Sequence, residues 1–234
     1  MSIPAQIIHD QIVGKQGTLL IYDEYADITG ETNMELKPPK IEWCVELNKI
    51  QQHYPEAIIG GGALRDLNTD RPIKDLDVFL QYDDELYNNL CNLYGADNIS
   101  NLDEMSEKLY EDMDTVLGGV YEVVVDGLDI PLQIIGMTTF GSVDKVSSYF
   151  DINLCKLFHD GVEYVGGIDK FRYDYNASVM TMESQGYPTV DATVKFFNRS
   201  MKHACRLLEK YQGYVIVLHE DNSIDPDFDA RMVS

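Results

Sequence analysis

The run Gly60-Gly61-Gly62-Ala63-Leu64-Arg65-Asp66 is followed, after eight intervening residues, by Asp75-Leu76-Asp77. Each part has its own chemistry. Glycines let the backbone turn sharply and bring N–H groups near a ligand with no Cβ in the way. A short helix opening at such a turn presents its first amides and the positive end of its dipole to a phosphate. Arg65, one turn into that helix, can pair with a phosphate or with an acidic centre. Two carboxylates in Asp-x-Asp spacing on a strand repel one another unless a cation lies between them. Hard oxygen donors with open positions suit Mg²⁺ or Mn²⁺, and such a site can activate a hydroxyl and neutralise a triphosphate during in-line displacement.

The elements that must hold these groups are legible around them. Ala57-Ile58-Ile59 is an apolar run that predicts a buried strand ending at the glycines, and Ala63–Leu67 predicts the short helix. Asn68-Thr69-Asp70-Arg71-Pro72 is turn chemistry. The next strand is expected over Asp75–Leu80, with Asp75 and Asp77 on one face and Leu76, Val78 and Leu80 on the other. Helices are expected over 41–53, 83–93, 104–117 (closed by Gly118-Gly119) and 142–148 (capped by Ser142). Hairpins are expected from Tyr121–Val125 and Ile130–Ile135 around Asp126-Gly127, and from Phe150–Phe158 with Glu163–Val165. Gly17–Tyr22 can add a strand, and Tyr214–Leu218 another. Lys37-Pro38-Pro39-Lys40 marks a boundary. The organisation read from the chain is an extension over 1–40, a catalytic domain over 41–185, and a helix with an acidic tail over 186–234.

The glycine turn and the carboxylate strand together resemble the head domain of the DNA polymerase β-like nucleotidyltransferases, and within them the CCA-adding enzyme and bacterial poly(A) polymerase family. The matching residues are Gly61, Gly62, Ala63, Arg65 and Asp66, then Lys74, Asp75 and Asp77. A second segment, Phe150-Asp151-Ile152-Asn153-Leu154-Cys155 with Gly166-Gly167-Ile168-Asp169 after it, is similar to a later strand of that family. The resemblance covers roughly residues 45 to 175. It implies an α+β fold with a mixed sheet flanked by helices, and transfer of a nucleoside monophosphate from an NTP to an acceptor hydroxyl.

By this resemblance Asp75 and Asp77 hold the metal; Gly61, Gly62, Arg65, Asp66 and Lys74 serve the nucleotide; and Asn153 faces it. Two positions depart from the family's pattern. Ser147-Ser148-Tyr149 stands where the family has Arg-Arg-Asp, and Gln133 stands where its third carboxylate falls. Asp129 or Asp151 is the candidate replacement, with Asp151 favoured because it lies in the second matching segment. The alternative reading is a nucleotidyltransferase fold that binds without catalysing.

The net charge of −22, from 18 Lys and Arg against 40 Asp and Glu, is unusual for a protein that grips nucleic acid along its length. Ten acids and a single base, Lys108, fall between Asp83 and Asp114. That run reads as a solvated face or as a docking surface for a basic partner. One basic stripe counters the trend. From Val194 to Tyr211, apolar Phe196, Phe197, Met201, Ala204, Leu207 and Leu208 share a helical face, and Lys195, Arg199, Lys202, Arg206 and Lys210 lie in an opposite arc. The first four are candidate phosphate or nucleic-acid contacts.

Cys44, Cys91, Cys155 and Cys205 are widely separated, which predicts buried thiols rather than a zinc site or a disulfide framework. The chain begins without a charged and apolar leader and has no apolar run of membrane-spanning length, so a soluble, cytoplasmic protein is expected. The acceptor is left open among an RNA 3′ end, a small molecule and a protein.

Overall fold

The computed structural model describes residues 19–22, 34–102, 116–183 and 190–219, the last segment with side chains from 199 to 217. Two compact units form. One contains residues 34–150 and 155–168; the other contains 1–33, 151–154 and 169–234. The chain passes into the smaller unit at 151–154 and again after 168.

The larger unit carries a seven-stranded mixed sheet in the order β4-β5-β6-β3-β2-β7-β8. Its strands are β2 (Ile58–Gly60), β3 (Leu76–Gln81), β4 (Ile99–Asn101), β5 (Leu117–Val123), β6 (Leu132–Met137), β7 (Phe158–His159) and β8 (Tyr164–Gly166). The helices are α1 (Ile41–Gln51), α2 (Gly62–Asn68), α3 (Leu86–Tyr94) and α4 (Val143–Ser147). β3 runs parallel to β6 and antiparallel to β2, the latter pair being joined through the glycine turn, α2 and the segment 69–75.

Side-chain alternation divides this sheet into two different faces. Leu76, Val78, Leu80, Leu132, Ile134 and Val123 share one face and are all fully buried. α3 reaches that face where Gly136 leaves room for Leu86: a Cβ on Gly136 would lie 2.8 Å from Leu86 Cδ2. The other face is apolar at one end only. There Ile58, Phe79, Val120, Ile135 and Met137 join Phe140, Val146 and Phe158, with Phe150 edge-on to Phe79 and Phe158 at 5.4 and 5.3 Å. The α4 segment supplies this cover, and its N-terminus is capped as expected by Ser142, whose Oγ accepts from the Lys145 N–H.

Two local expectations change. Gly118 and Gly119 lie within β5, not at a helix end. A Cβ on Gly118 would come within 2.1 Å of the Tyr82 ring, so the glycine is a packing requirement of the sheet, and the register shifts beside it. The expected helix 104–117 otherwise lies outside the described residues. Phe150–Phe158 is not one strand: Ile152 makes an isolated bridge to Met182, 153–155 is a tight turn, and only Phe158–His159 pairs with β8. From residue 168 the chain forms α5 (Ile168–Ala177) and β9 (Val179–Glu183).

The smaller unit is a parallel three-stranded sheet, β1 (Leu19–Tyr22), β10 (Val215–His219) and β9, in the order β1-β10-β9. α6 (Val190–Lys210) is the connection from β9 to β10 that a parallel pair requires. Met201, Ala204, Leu207 and Tyr211 are buried, whereas Lys202, Arg206 and Glu209 are exposed. Asp174 of α5, fully buried, ties the β9 backbone down by accepting from the Thr181 N–H (2.8 Å) and hydroxyl (2.7 Å). Asp174→Ala is expected to destabilise the protein by about 1–3 kcal/mol, read by urea unfolding, because it orphans buried donors. Of the four thiols Cys155 is buried and Cys44, Cys91 and Cys205 are half-buried; none of them is in a disulfide.

Candidate active site

The other end of that second face, the front face of the larger unit, is polar, and strand register assembles it. Gly60 of β2 pairs with Asp77, Asp77 with Gln133 of β6, Gln133 with Glu122 of β5, and Glu122 with Ser100 of β4. Directly paired residues point to the same side of a sheet. Asp77, Gln133, Glu122 and Ser100 therefore form one row, with Asp75 beside Asp77 on the same face. Asp75, Asp77, Gln133 and Glu122 are each half-buried.

The glycine turn abuts this row. Gly61 has φ +74°, and a Cβ there would lie 3.2 Å from Asp77 Oδ2. Its N–H donates to the Leu157 carbonyl at 3.2 Å. What Gly61 gives the site is thus a left-handed backbone and space over the carboxylate; its amide is spent on the sheet. Gly62 opens α2, whose first N–H groups have no partner within the helix.

Arg65 and Asp66 sit beneath the turn, both buried. Arg65 donates through Nε and Nη2 to the two Asp66 carboxylate oxygens (2.8 and 3.0 Å) and through Nη1 to Cys155 Sγ at 2.9 Å. The fork to Asp66 fixes the guanidinium within α2, and the bond to Cys155 ties the helix to the segment that leads into β7. Lys74, just before β3, is exposed.

Asp77 is electrostatically unusual. Burial pushes its carboxyl up from the ordinary 3.8 to about 7, the Asp75 charge adds to the rise, and Arg65 opposes it. Between those two values the folded protein holds a proton that the unfolded chain has released, so rising pH costs stability across that window. We expect the Tm of the metal-free protein to drop, relative to Asp77→Asn, as pH rises from about 5 to about 7.5. Mg²⁺ is expected to reverse the drop. A wild-type minus variant difference that stays flat with pH would contradict this.

Asp151 and Asn153 lie in the smaller unit. Burial pushes the Asp151 carboxyl up, but the hydrogen bond and charge of His203 and the charge of Arg199 outweigh it and hold the carboxyl below its usual range. His203 Nδ1 stands 3.0 Å from Asp151 Oδ1. Asn153 is buried, and its Oδ1 has no hydrogen-bond partner. Of the basic stripe on α6, Arg199 is half-buried while Lys202 and Arg206 are exposed. Lys195 is on the same helix, with its side chain outside the described residues. Asp129 is exposed in the β5–β6 connection. Sequence reading missed Glu122 and His203. Alternation along β5 could have placed Glu122 on a polar face, but no local pattern links His203 to a residue 52 positions away.

Among the described residues, no group of three or more His, Cys, Asp or Glu side chains is gathered to hold a metal, and no helix is long and apolar enough to cross a membrane. The acidic run is described only to Leu102, with Asp83, Asp84 and Glu85 exposed at the start of α3.

No protein-family model and no curated protein sequence matches the chain. Solved structures do. The Bacillus stearothermophilus CCA-adding enzyme in complex with CTP aligns over 80% of this chain and 42% of its own, with 19% identity and a TM-score of 0.53. A tRNA-processing enzyme in an apo form aligns over 80% and 46%, with 15% identity and a TM-score of 0.54. The Thermotoga maritima CCA-adding enzyme complexed with tRNA aligns over 81% and 41%, with 14% identity and a TM-score of 0.53. The chain spans less than half the length of each. At these identities the likeness is one of architecture: the chain shares the α+β fold of the matching parts of these CCA-adding and tRNA-processing enzymes.

Proposed function

We propose that the protein is a metal-dependent nucleotidyltransferase that moves a nucleoside monophosphate from an NTP to an acceptor hydroxyl and releases pyrophosphate. One observation carries this reading: within that fold, the Gly61 turn opens directly over Asp77 Oδ2 beside a second front-facing carboxylate, Asp75. Two carboxylates with neither thiolate nor imidazole make a donor set that fits Mg²⁺ or Mn²⁺. When bound, such an ion supplies charge neutralisation for the triphosphate and lowers the proton affinity of the attacking oxygen.

The chain's own groups do the rest. Asp75 and Asp77 fix the reaction's position. The Gly61-Gly62 turn leaves room for phosphate oxygens, and Arg65 adds positive potential from below while bracing the turn. Lys74, exposed ahead of β3, is available to the triphosphate. Lys195, Arg199, Lys202 and Arg206 are proposed phosphate contacts on α6, and Asn153 brings an unsatisfied acceptor. Asp151, buried, is proposed to act with the half-buried His203; its participation in metal binding rests on the sequence resemblance alone.

The acceptor class is an RNA 3′ end, a small molecule or a protein. The related enzymes are described with CTP and with tRNA. Against a long RNA grip stands the net charge of −22. A second reading, a binding module without catalysis, is favoured by one observation: Gln133 occupies the row position next to Asp77.

The test is transfer of label from each α-labelled NTP, with Mg²⁺ or Mn²⁺, onto pooled small RNAs and cell protein. Label dependent on Asp75 and Asp77 supports the enzyme and sorts its acceptor. No transfer by a folded wild-type sample from any NTP sinks it and leaves the binding module.

A further inference from the structure

Resting on the transferase reading, we propose that Glu122 is the proton acceptor for the attacking hydroxyl, its carboxylate lying one strand beyond the Gln133 position. The front-face row holds four consecutive cross-strand neighbours, and two of them, Asp77 and Glu122, are acids separated by the neutral Gln133. Strands in a sheet are spaced at about 4.8 Å, so Glu122 lies roughly 10 Å from Asp77 along the row, measured at the backbone. That is too far to share a tight ligand set with Asp75 and Asp77, in keeping with the lack of any three-acid cluster among the described residues.

It is a suitable separation for a different task. An acceptor oxygen approaching a phosphate held at Asp77 would enter over Gln133, between the two acids. Glu122 is half-buried, so it keeps contact with solvent, and it is distant in sequence from the carboxylates proposed to hold metal. Gln133, uncharged at the row's centre, can donate a hydrogen bond to the incoming oxygen without competing for its proton.

The step balances. The hydroxyl proton passes to a Glu122 carboxylate oxygen, and the freed oxygen forms the bond to the α-phosphorus. The bond from that phosphorus to the pyrophosphate oxygen breaks, and pyrophosphate leaves with the electron pair. A base acting on the transition state affects turnover and leaves ground-state nucleotide binding alone. That separates it from a ligand of the metal or a group that merely shapes the strand.

The experiment uses the full chain as wild type, Glu122→Gln, Asp77→Asn and the double variant Glu122→Gln/Gln133→Glu. The last returns a carboxylate to the neighbouring strand. Two quantities are measured: Mn²⁺ affinity by titration with paramagnetic detection, and kcat and KM for labelled NTP transfer. Glu122→Gln is expected to lose about 10²- to 10³-fold in kcat with KM and Mn²⁺ affinity near wild type. Asp77→Asn is expected to lose Mn²⁺ affinity. The double variant is expected to recover at least about tenfold over Glu122→Gln, since the acid is restored to the same row.

Wild-type kcat in Glu122→Gln overturns the assignment while leaving the transferase intact. So does a loss of Mn²⁺ affinity that tracks the loss of kcat, which would make Glu122 a ligand, and so does a double variant with no recovery. Absence of transfer by wild type is distinct from all of these: it overturns the transferase reading and this inference with it.

Discussion

Alanine at both Asp75 and Asp77 is expected to reduce nucleotidyl transfer by on the order of 10³-fold or more, the equivalent of the several kcal/mol of transition-state charge stabilisation that a bound metal ion provides. Both side chains lie at the polar end of the front face, and neither contributes to the apolar cluster beneath α4. Their loss should therefore leave the fold intact. The electrostatics go further: because burial and Asp75 push the Asp77 carboxyl up to about 7, ionising it costs the metal-free protein stability at neutral pH. The double variant should thus unfold at the same or a higher temperature than wild type in chelator, yet gain nothing from Mg²⁺. Transfer assays and thermal scans with and without Mg²⁺ check both halves. A variant that is inactive because it is unfolded would refute the separation of site from scaffold. A variant that is folded and fully active would refute the site.

Gly167→Ala is expected to have the largest effect on stability, above about 4 kcal/mol, which is a sizeable share of a domain's whole margin. A Cβ at this position would lie 1.7 Å from the Lys156 carbonyl oxygen and 2.4 Å from its carbon, on a backbone with φ +72°. Neither obstacle is a flexible side-chain end. The Lys156 carbonyl belongs to the chain entering β7, and the Lys156 side chain is itself buried. The strand that Gly167 presses against is the one whose Leu157 carbonyl accepts the Gly61 N–H, so a shift there propagates to the turn over Asp77. Gly127→Ala is the control: φ is +94° but nothing lies within 4 Å, so only the backbone cost of roughly 1 kcal/mol applies. Denaturant unfolding of the two variants should therefore differ severalfold in lost stability. Equal, small losses would mean that the Lys156–Gly167 approach is not rigid.

The chemistry of the front-facing pair was legible from the chain. A side-chain period of two puts Asp75 and Asp77 on one face and Leu76, Val78 and Leu80 in the core, whatever strand lies alongside. The glycine run announces a turn because only glycine adopts φ +74° at Gly61 without strain. The amphipathic helix over α6 and the Ser142 cap are local patterns and emerged with small shifts in their ends.

Tertiary structure decided what those local patterns leave undefined. Strand register, set by packing across the sheet, made Gln133 the neighbour of Asp77 and brought Glu122 into the same row. It turned Gly118-Gly119 from a helix end into a strand under Tyr82. It committed Arg65 to Asp66 and Cys155, and Asp151 to His203, because a buried charge must find partners wherever the fold offers them. It also joined residues 19–22 to residues 215–219 in one parallel sheet. Periodicity reports which face of an element is buried; it carries no information on which distant segment lies against that face. The sequence alone therefore determined the carboxylate pair and the turn above it, and only the pairing of distant strands decided which groups surround them.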